Sequence, residues 1–288
     1  MGEQRESRVR LRDGRWVQYL DVGPPRAPVV LYGHGIPGSR HEIRWAAPVL
    51  ASSGIPIRLL ALNRPGYGGS AWAAGGGFAA WASDAATVLQ RLGVDRCAVL
   101  GASGGAPFAL AFAAANPDRV SKVGLAAAVG PPTAAGMDRS AVWLSEPRSP
   151  RLRSARYAAL ATGYRAGLAG WLEERMIRAL GAPDRAALTE PGARSVLHRV
   201  VGEAFAQRGR AAAVEAGLLL RAWDLDLDRV DQPVRIWHGS LDTRVPAEAA
   251  RGLADLLPQA SVSIWPRHGH FSWATSSEII DIAAHLTQ

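Results

Sequence analysis

Cysteine and lysine are nearly absent from this chain of 288 residues, which has only Cys97 and Lys122. A single cysteine excludes an internal disulfide and any zinc or iron–sulfur centre built from several thiolates. A chain of this length buries a core that needs no such staple, and 48% hydrophobic residues is too many for a disordered segment. With lysine missing, the 33 basic residues are arginine apart from Lys122, and the formal net charge is +8. That charge raises the question of nucleic acid, but no basic run with interleaved aromatics is present. The arginines are scattered among apolar residues and read as solvated helix faces, so no nucleic-acid partner is expected. Residues 1–131 and 132–222 each carry a net +6, and residues 223–288 a net −4. The first ten residues lack the apolar core of a secretory signal. The uncharged stretch from Cys97 to Ala115 approaches the length of a membrane span. Gly-Ala-Ser-Gly-Gly-Ala-Pro breaks it in the middle, as suits a buried strand, a tight turn and a buried helix. A soluble, cytoplasmic chain with no membrane partner is expected.

What is present is an alternation of short β-like runs and helical segments. Strands are predicted at Trp16–Val22, Pro28–Tyr32, Pro56–Leu62, Arg96–Leu100 and Val120–Ala128, with helical periodicity near 43–52, 78–92 and after the break at 101–107. From Pro131 to about Trp223 only helical segments rich in Ala, Leu and Arg appear. The alternation resumes with strands at Val234–Trp237 and Ser261–Trp265 and helices at Pro246–Leu257 and Ser277–Leu286. Strands alternating with helices predict an α/β fold with a mostly parallel sheet covered on both faces. The helical stretch reads as an insertion: residues 1–131 and 223–288 form the core, and 132–222 a lid over the sheet.

Gly101-Ala-Ser-Gly-Gly105 matches G-x-S-x-G directly after a predicted strand and before a predicted helix, the context a nucleophile elbow requires. Small neighbours allow the sharp turn that lifts the Ser103 hydroxyl above the sheet edge; an ordinary glycine-rich turn is the competing reading. A serine nucleophile needs a base, and the base an orienting acid. Of seven histidines, His270, on the turn Arg267-His-Gly-His-Phe271, is the chosen base, with His268 beside it as a loop residue. His238, at the end of a strand, competes, and His41, His198 and His285 are expected to be exposed. The acid is Asp242, the one carboxylate in Gly239-Ser-Leu-Asp-Thr-Arg-Val-Pro246, at the end of a strand where open α/β sheets collect their sites. Asp224, Asp226 and Asp228 precede that strand, and Ala128-Val-Gly-Pro-Pro132 holds no carboxylate. A surface turn with Asp242 capping the next helix is the alternative. Gly33-His-Gly-Ile-Pro-Gly-Ser39 offers uncovered backbone donors for an oxyanion hole, assigned to the N–H groups of Ile36 and Gly104, with His34 and Gly35 supporting the loop. His-x-His with a distant Asp raises a zinc site, but nothing resembles H-E-x-x-H, so no metal is expected. No P-loop lysine and no G-x-G-x-x-G opening a helix is present, so no nucleotide cofactor is expected either.

Together HGIPGS at 34–39, NRPGYGGS at 63–70, GASGGAP at 101–107, HGSLDTRVP at 238–246 and HGHF at 268–271 resemble, in order, the landmarks of the α/β-hydrolase superfamily. The resemblance covers nearly the whole chain, and its triad order matches Ser103, Asp242, His270. It implies an eight-stranded, mostly parallel sheet with a helical cap inserted after the sixth strand, and serine hydrolase chemistry without a cofactor. Haloalkane dehalogenases and cap-bearing epoxide hydrolases of this family use an aspartate at the elbow, so Ser103 disfavours those reactions. The Asn63-Arg-Pro-Gly departure from Asp-Arg-Pro-Gly reads as a loop detail. The implied substrate is a small to medium ester, thioester or lactone, and the cap's arginine surplus favours an anionic group on it. Alternatives are a proline-iminopeptidase-like amidase, a C–C hydrolase, lyase or cyclase using the same triad, and a small-molecule binding protein on the same fold.

Overall fold

A computed structural model describes residues 4–140 and 144–288. The first three residues, and 141–143 within the predicted insertion, lie outside it. The sheet has eight strands, β1 (Gln4–Arg10), β2 (Trp16–Val22), β3 (Val29–Gly33), β4 (Arg58–Leu62), β5 (Cys97–Ala102), β6 (Val120–Ala126), β7 (Val234–Gly239) and β8 (Ala260–Trp265), in the spatial order β1-β2-β4-β3-β5-β6-β7-β8. β1 pairs with β2, and β2 with β4, antiparallel; every other pair is parallel. β5 is buried along its whole length, as expected of a central strand with helices on both faces.

Helices α1 (Ile43–Ser53) and α10 (Ile279–Thr287) bury Ile43, Trp45, Ile279 and Ile282 on one face of the sheet. On the other face lie α2 (Phe78–Arg91), α3 (Ala106–Ala115) and α9 (Ala247–Ala254), packing Trp81, Phe108, Phe112 and Leu253. α3 is buried on nearly all sides and carries no charge, which is why Cys97–Ala115 has the composition of a membrane span. No helix of the described residues is long and apolar enough to cross a membrane.

Between β6 and β7 the described residues hold no strand. They form α4 (Pro150–Gly163), α5 (Ala169–Arg178), α6 (Ala182–Thr189), α7 (Pro191–Phe205) and α8 (Arg210–Leu219). Three prolines of this segment mark helix starts, where no intrahelical N–H is lost: Pro150, Pro183 and Pro191 each sit in a first turn. Trp45 Nε1 donates to the Ala193 carbonyl (3.0 Å), and Gln207 Nε2 donates to the carbonyls of Gly68 (2.9 Å) and Ser70 (2.8 Å), tying this helical segment to the core.

The strand that sequence reading left out is β1. Its residues are almost all exposed and it occupies the sheet edge, so it shows no apolar alternation. Charged residues on such an edge discourage pairing with another chain.

Candidate active site

β5 ends at Ala102, two residues beyond the predicted boundary, and Ser103 opens a 3-10 turn, Ser103–Gly105, with φ +50°. A positive φ is strained for a residue with a Cβ. The turn persists because its neighbours are small: a Cβ on Gly105 would lie 2.1 Å from the Gly33 carbonyl oxygen. Within the buried run from Cys97 to Ala113, Ser103 alone is half-buried. Register places Gly33 beside Gly101, so the loops after β3 and β5 meet above the sheet.

Asp242 follows β7 and is enclosed by donors. Its Oδ1 accepts the N–H groups of Arg244 (2.7 Å) and Val245 (3.0 Å), and its Oδ2 lies 2.7 Å from His270 Nδ1 and 3.1 Å from His238 Nε2. Burial disfavours the carboxylate, but the charge and hydrogen bonds of the two imidazoles outweigh it and hold the carboxyl well below the usual carboxylate range. Burial likewise disfavours the His270 imidazolium, but Asp242 and the nearby Asp184 keep its pKa above the ordinary value. With the Nδ1 proton directed at Asp242, the His270 Nε2 lone pair is the basic atom.

His238 is buried, with its Nε2 also 2.8 Å from the Val245 carbonyl oxygen, so it flanks Asp242 from the strand side. His268 turns away to Pro266 O (2.8 Å) and Glu278 (2.8 Å), separating the two histidines of the His-x-His sequence. The exposure expected of His41 and His285 is corrected: His41 is buried with its Nε2 3.3 Å from Glu203, and His285 is half-buried. Among the described residues no group of three or more His, Cys, Asp and Glu is disposed to hold a metal ion.

Two consecutive peptide units of the loop after β3 are held from outside. In the unit joining residues 34 and 35, the His34 carbonyl accepts Arg64 Nη1 (2.5 Å), and the Gly35 N–H donates to Glu42 (2.9 and 3.2 Å). In the next unit, the Gly35 carbonyl accepts Arg64 Nη2 (3.0 Å) and lies 2.9 Å from His34 Nδ1. A trans peptide is planar, with its C=O and N–H opposed. Anchoring the Gly35 carbonyl therefore aims the Ile36 N–H the other way, and that N–H has no protein acceptor among the described residues. The Ile36 side chain lies against Gly104, where an added Cβ would come within 2.9 Å of Ile36 Cδ1. Ile36 and Gly104 thus lie side by side, and His34 and Gly35 belong to the two anchored peptide units.

Four charged residues that the sequence reading did not single out hold this arrangement. The Arg64 guanidinium is fully buried and also pairs with both oxygens of Glu215 on α8 (2.8 Å each). Asp184 on α6 accepts the backbone N–H groups of His270 and Phe271 (2.8 Å each), gripping the histidine loop from the helical segment. Glu42, at the end of a 3-10 turn (Arg40–Glu42), accepts the Tyr32 hydroxyl (2.5 Å) as well as the Gly35 N–H. In sequence Arg64 and Asp184 stand beside Pro65 and Pro183, and Glu42 and Glu215 beside no turn residue, a signal that surface residues show equally often.

The sequence model of the alpha/beta hydrolase fold family matches residues 28–275. A 2-hydroxy-6-oxo-2,4-heptadienoate hydrolase from Pseudomonas putida is 28% identical over 92% of this chain and 89% of its own length. A bifunctional esterase/perhydrolase from Acinetobacter calcoaceticus is 35% identical over 43% of this chain and 45% of its own. An esterase structure from Rhodococcus sp. ECU1013 superposes with a TM-score of 0.66 at 23% identity, covering 98% of this chain and 99% of that one. At that identity the likeness speaks for the fold alone.

Proposed function

This chain belongs to the α/β-hydrolase fold family, and on that footing we propose that it is a serine hydrolase cleaving a small or medium ester, thioester or lactone through an acyl-serine. The observation that carries the reading is the Asp242–His270 hydrogen bond of 2.7 Å at the same end of the sheet as the strained Ser103. His270 Nε2 takes the Ser103 Oγ proton as Oγ bonds to the acyl carbon, while Asp242 holds the imidazole and stabilises its charged form. The acyl oxygen gains negative charge facing the N–H groups of Ile36 and Gly104. The C–O bond to the leaving group breaks, and that group takes the proton from His270. Water then gives a proton to His270, its oxygen attacks the acyl carbon, and Ser103 leaves with the proton restored. The helices between β6 and β7 act as a cap, a role supported by the grip of Asp184 on the His270 loop.

The cap's arginines stand mostly on its surface. All but Arg153 and Arg194 are exposed, and buried Arg153 donates to the backbone carbonyls of Ala213 (2.8 Å) and Pro147 (2.8 Å). A C–C hydrolase on the same triad is the second reading, favoured by the breadth of the match to the heptadienoate hydrolase. The two separate on a substrate panel: a short-chain p-nitrophenyl ester, a 2-hydroxy-6-oxo-dienoate and a prolyl p-nitroanilide. The ester is expected to turn over fastest. Turnover of the dienoate alone moves the assignment to C–C cleavage, and turnover of the anilide alone to an amidase.

A further inference from the structure

The acid that binds the Gly35 N–H has no part in the proton transfers above, yet it is buried beside them. Glu42 is 5% exposed, and a Cβ on Gly35 would lie 3.3 Å from Glu42 Oε1 and 3.6 Å from Ser103 Cβ. The carboxylate and the Ser103 side chain therefore both flank the space that a side chain on Gly35 would fill. Gly38 faces it more closely still, with an added Cβ 2.1 Å from Oε1. Both glycines of the turn leave room for the Glu42 side chain, which implies a loop built around this acid. Tyr32, whose hydroxyl donates to Oε2, is itself buried and stacked on Trp273 with centroids 5.4 Å apart.

We propose that Glu42 is a positioning residue of the oxyanion loop: as a carboxylate it accepts the Gly35 N–H and the Tyr32 O–H, and this holds the turn that presents the Ile36 N–H to the reacting oxygen. The inference rests on the serine hydrolase reading. It differs from the hold of Arg64, which anchors carbonyls and keeps its charge at any working pH. Protonating Glu42 removes its charge and turns one oxygen into an O–H donor, so the charge-assisted bonds from the Gly35 N–H and the Tyr32 O–H weaken and the turn is held less firmly.

The surroundings place that change near neutrality. Burial disfavours the carboxylate most, the Tyr32 and Gly35 hydrogen bonds oppose burial, and the charges of Arg64 and His270 oppose it from further off, leaving Glu42 pushed up to about 7. On its own turn, Arg40 and His41 face Glu203, and Arg44 on α1 pairs with Glu6, so each of these side chains meets a different carboxylate. Two ionisations then govern the acid side of the activity profile: His270 must be neutral, and Glu42 must be charged.

The test is the second-order rate of Ser103 labelling by a fluorophosphonate across pH 5–9, which needs no knowledge of the substrate. For the unaltered protein the logarithm of the rate should fall toward low pH more steeply than one ionisation allows, approaching a slope of two. Glu42→Gln should return the slope to one and, above both ionisations, label about a hundredfold more slowly, as expected for a displaced donor. Tyr32→Phe removes a bond that favours the carboxylate, so it should move the Glu42-dependent part of the profile to higher pH. A slope of one in the unaltered protein, or a steep limb that survives in Glu42→Gln, overturns the proposal. If Glu42→Gln fails to give a cooperative melt, the Tyr32→Phe profile decides, and an unmoved limb overturns it. Absence of any labelling at Ser103 is a different result, which removes the serine hydrolase reading itself.

Discussion

Replacing Ser103 with alanine is expected to lower ester turnover by about four to six orders of magnitude while leaving the melting temperature unchanged. The drop is this large because no other hydroxyl takes the place of the nucleophile, and the oxyanion donors and binding contacts that remain account only for the residual rate over water. Stability is spared for a local reason. Ser103 sits at φ +50° whether its side chain carries a hydroxyl or a hydrogen, and its backbone carbonyl keeps its bond from the Val129 N–H (3.2 Å). Turnover of the purified variant with a short p-nitrophenyl ester, set beside a thermal melt, checks both halves. Retained turnover contradicts covalent catalysis at this residue.

The second large effect is on stability. Glu215→Gln should destabilise the fold by about 3 kcal/mol, because it leaves the Arg64 charge buried without a counter-ion. Arg64 has no exposed surface, and the Glu215 side chain is 9% exposed, so water cannot take over the pairing without opening the joint between the α8 helix and the 63–70 loop. Tyr67 also donates to Glu215 (2.6 Å), and its bond weakens when the acceptor loses its charge. In a chain of this size the change corresponds to a fall in melting temperature of roughly 5 °C. Activity should fall too, since Arg64 anchors the His34 and Gly35 carbonyls, but by less than with Ser103→Ala. An unchanged melting temperature means that Arg64 is solvated and the helical segment is not clamped through it.

These two sites differ in how far they can be read from sequence, and the difference is physical. Ser103, Asp242 and His270 each follow an apolar run at the carboxyl end of a strand, so local pattern places them even though the partners lie far apart in the chain. β1 escaped notice because an exposed edge strand needs no apolar face. Arg64, Glu42, Asp184 and Glu215 escaped because a charged residue is ordinarily read as solvated, and nothing local announces a partner 86 residues away, as for Asp184 and His270, or 151 away, as for Arg64 and Glu215. The burial of His41 is hidden from sequence for the same reason, since its partner Glu203 lies far off in α7.

The charge pattern takes on a different meaning once these contacts are drawn. The +6 of residues 132–222 comes from arginines that mostly face solvent, whereas the carboxylates of Asp184, Glu203 and Glu215 face inward and bind the core. The helical segment is attached by its minority charge, and its majority charge lies on the outside.

The most direct test of the central claim is to treat the folded protein with a fluorophosphonate and map the adduct by peptide mass. Attack by Oγ forms a Ser–O–P bond, fluoride leaves, and the serine proton passes to His270. The account predicts a single adduct, on the peptide that contains Ser103. An adduct on another residue, or none on protein that retains its cooperative melt, would contradict it.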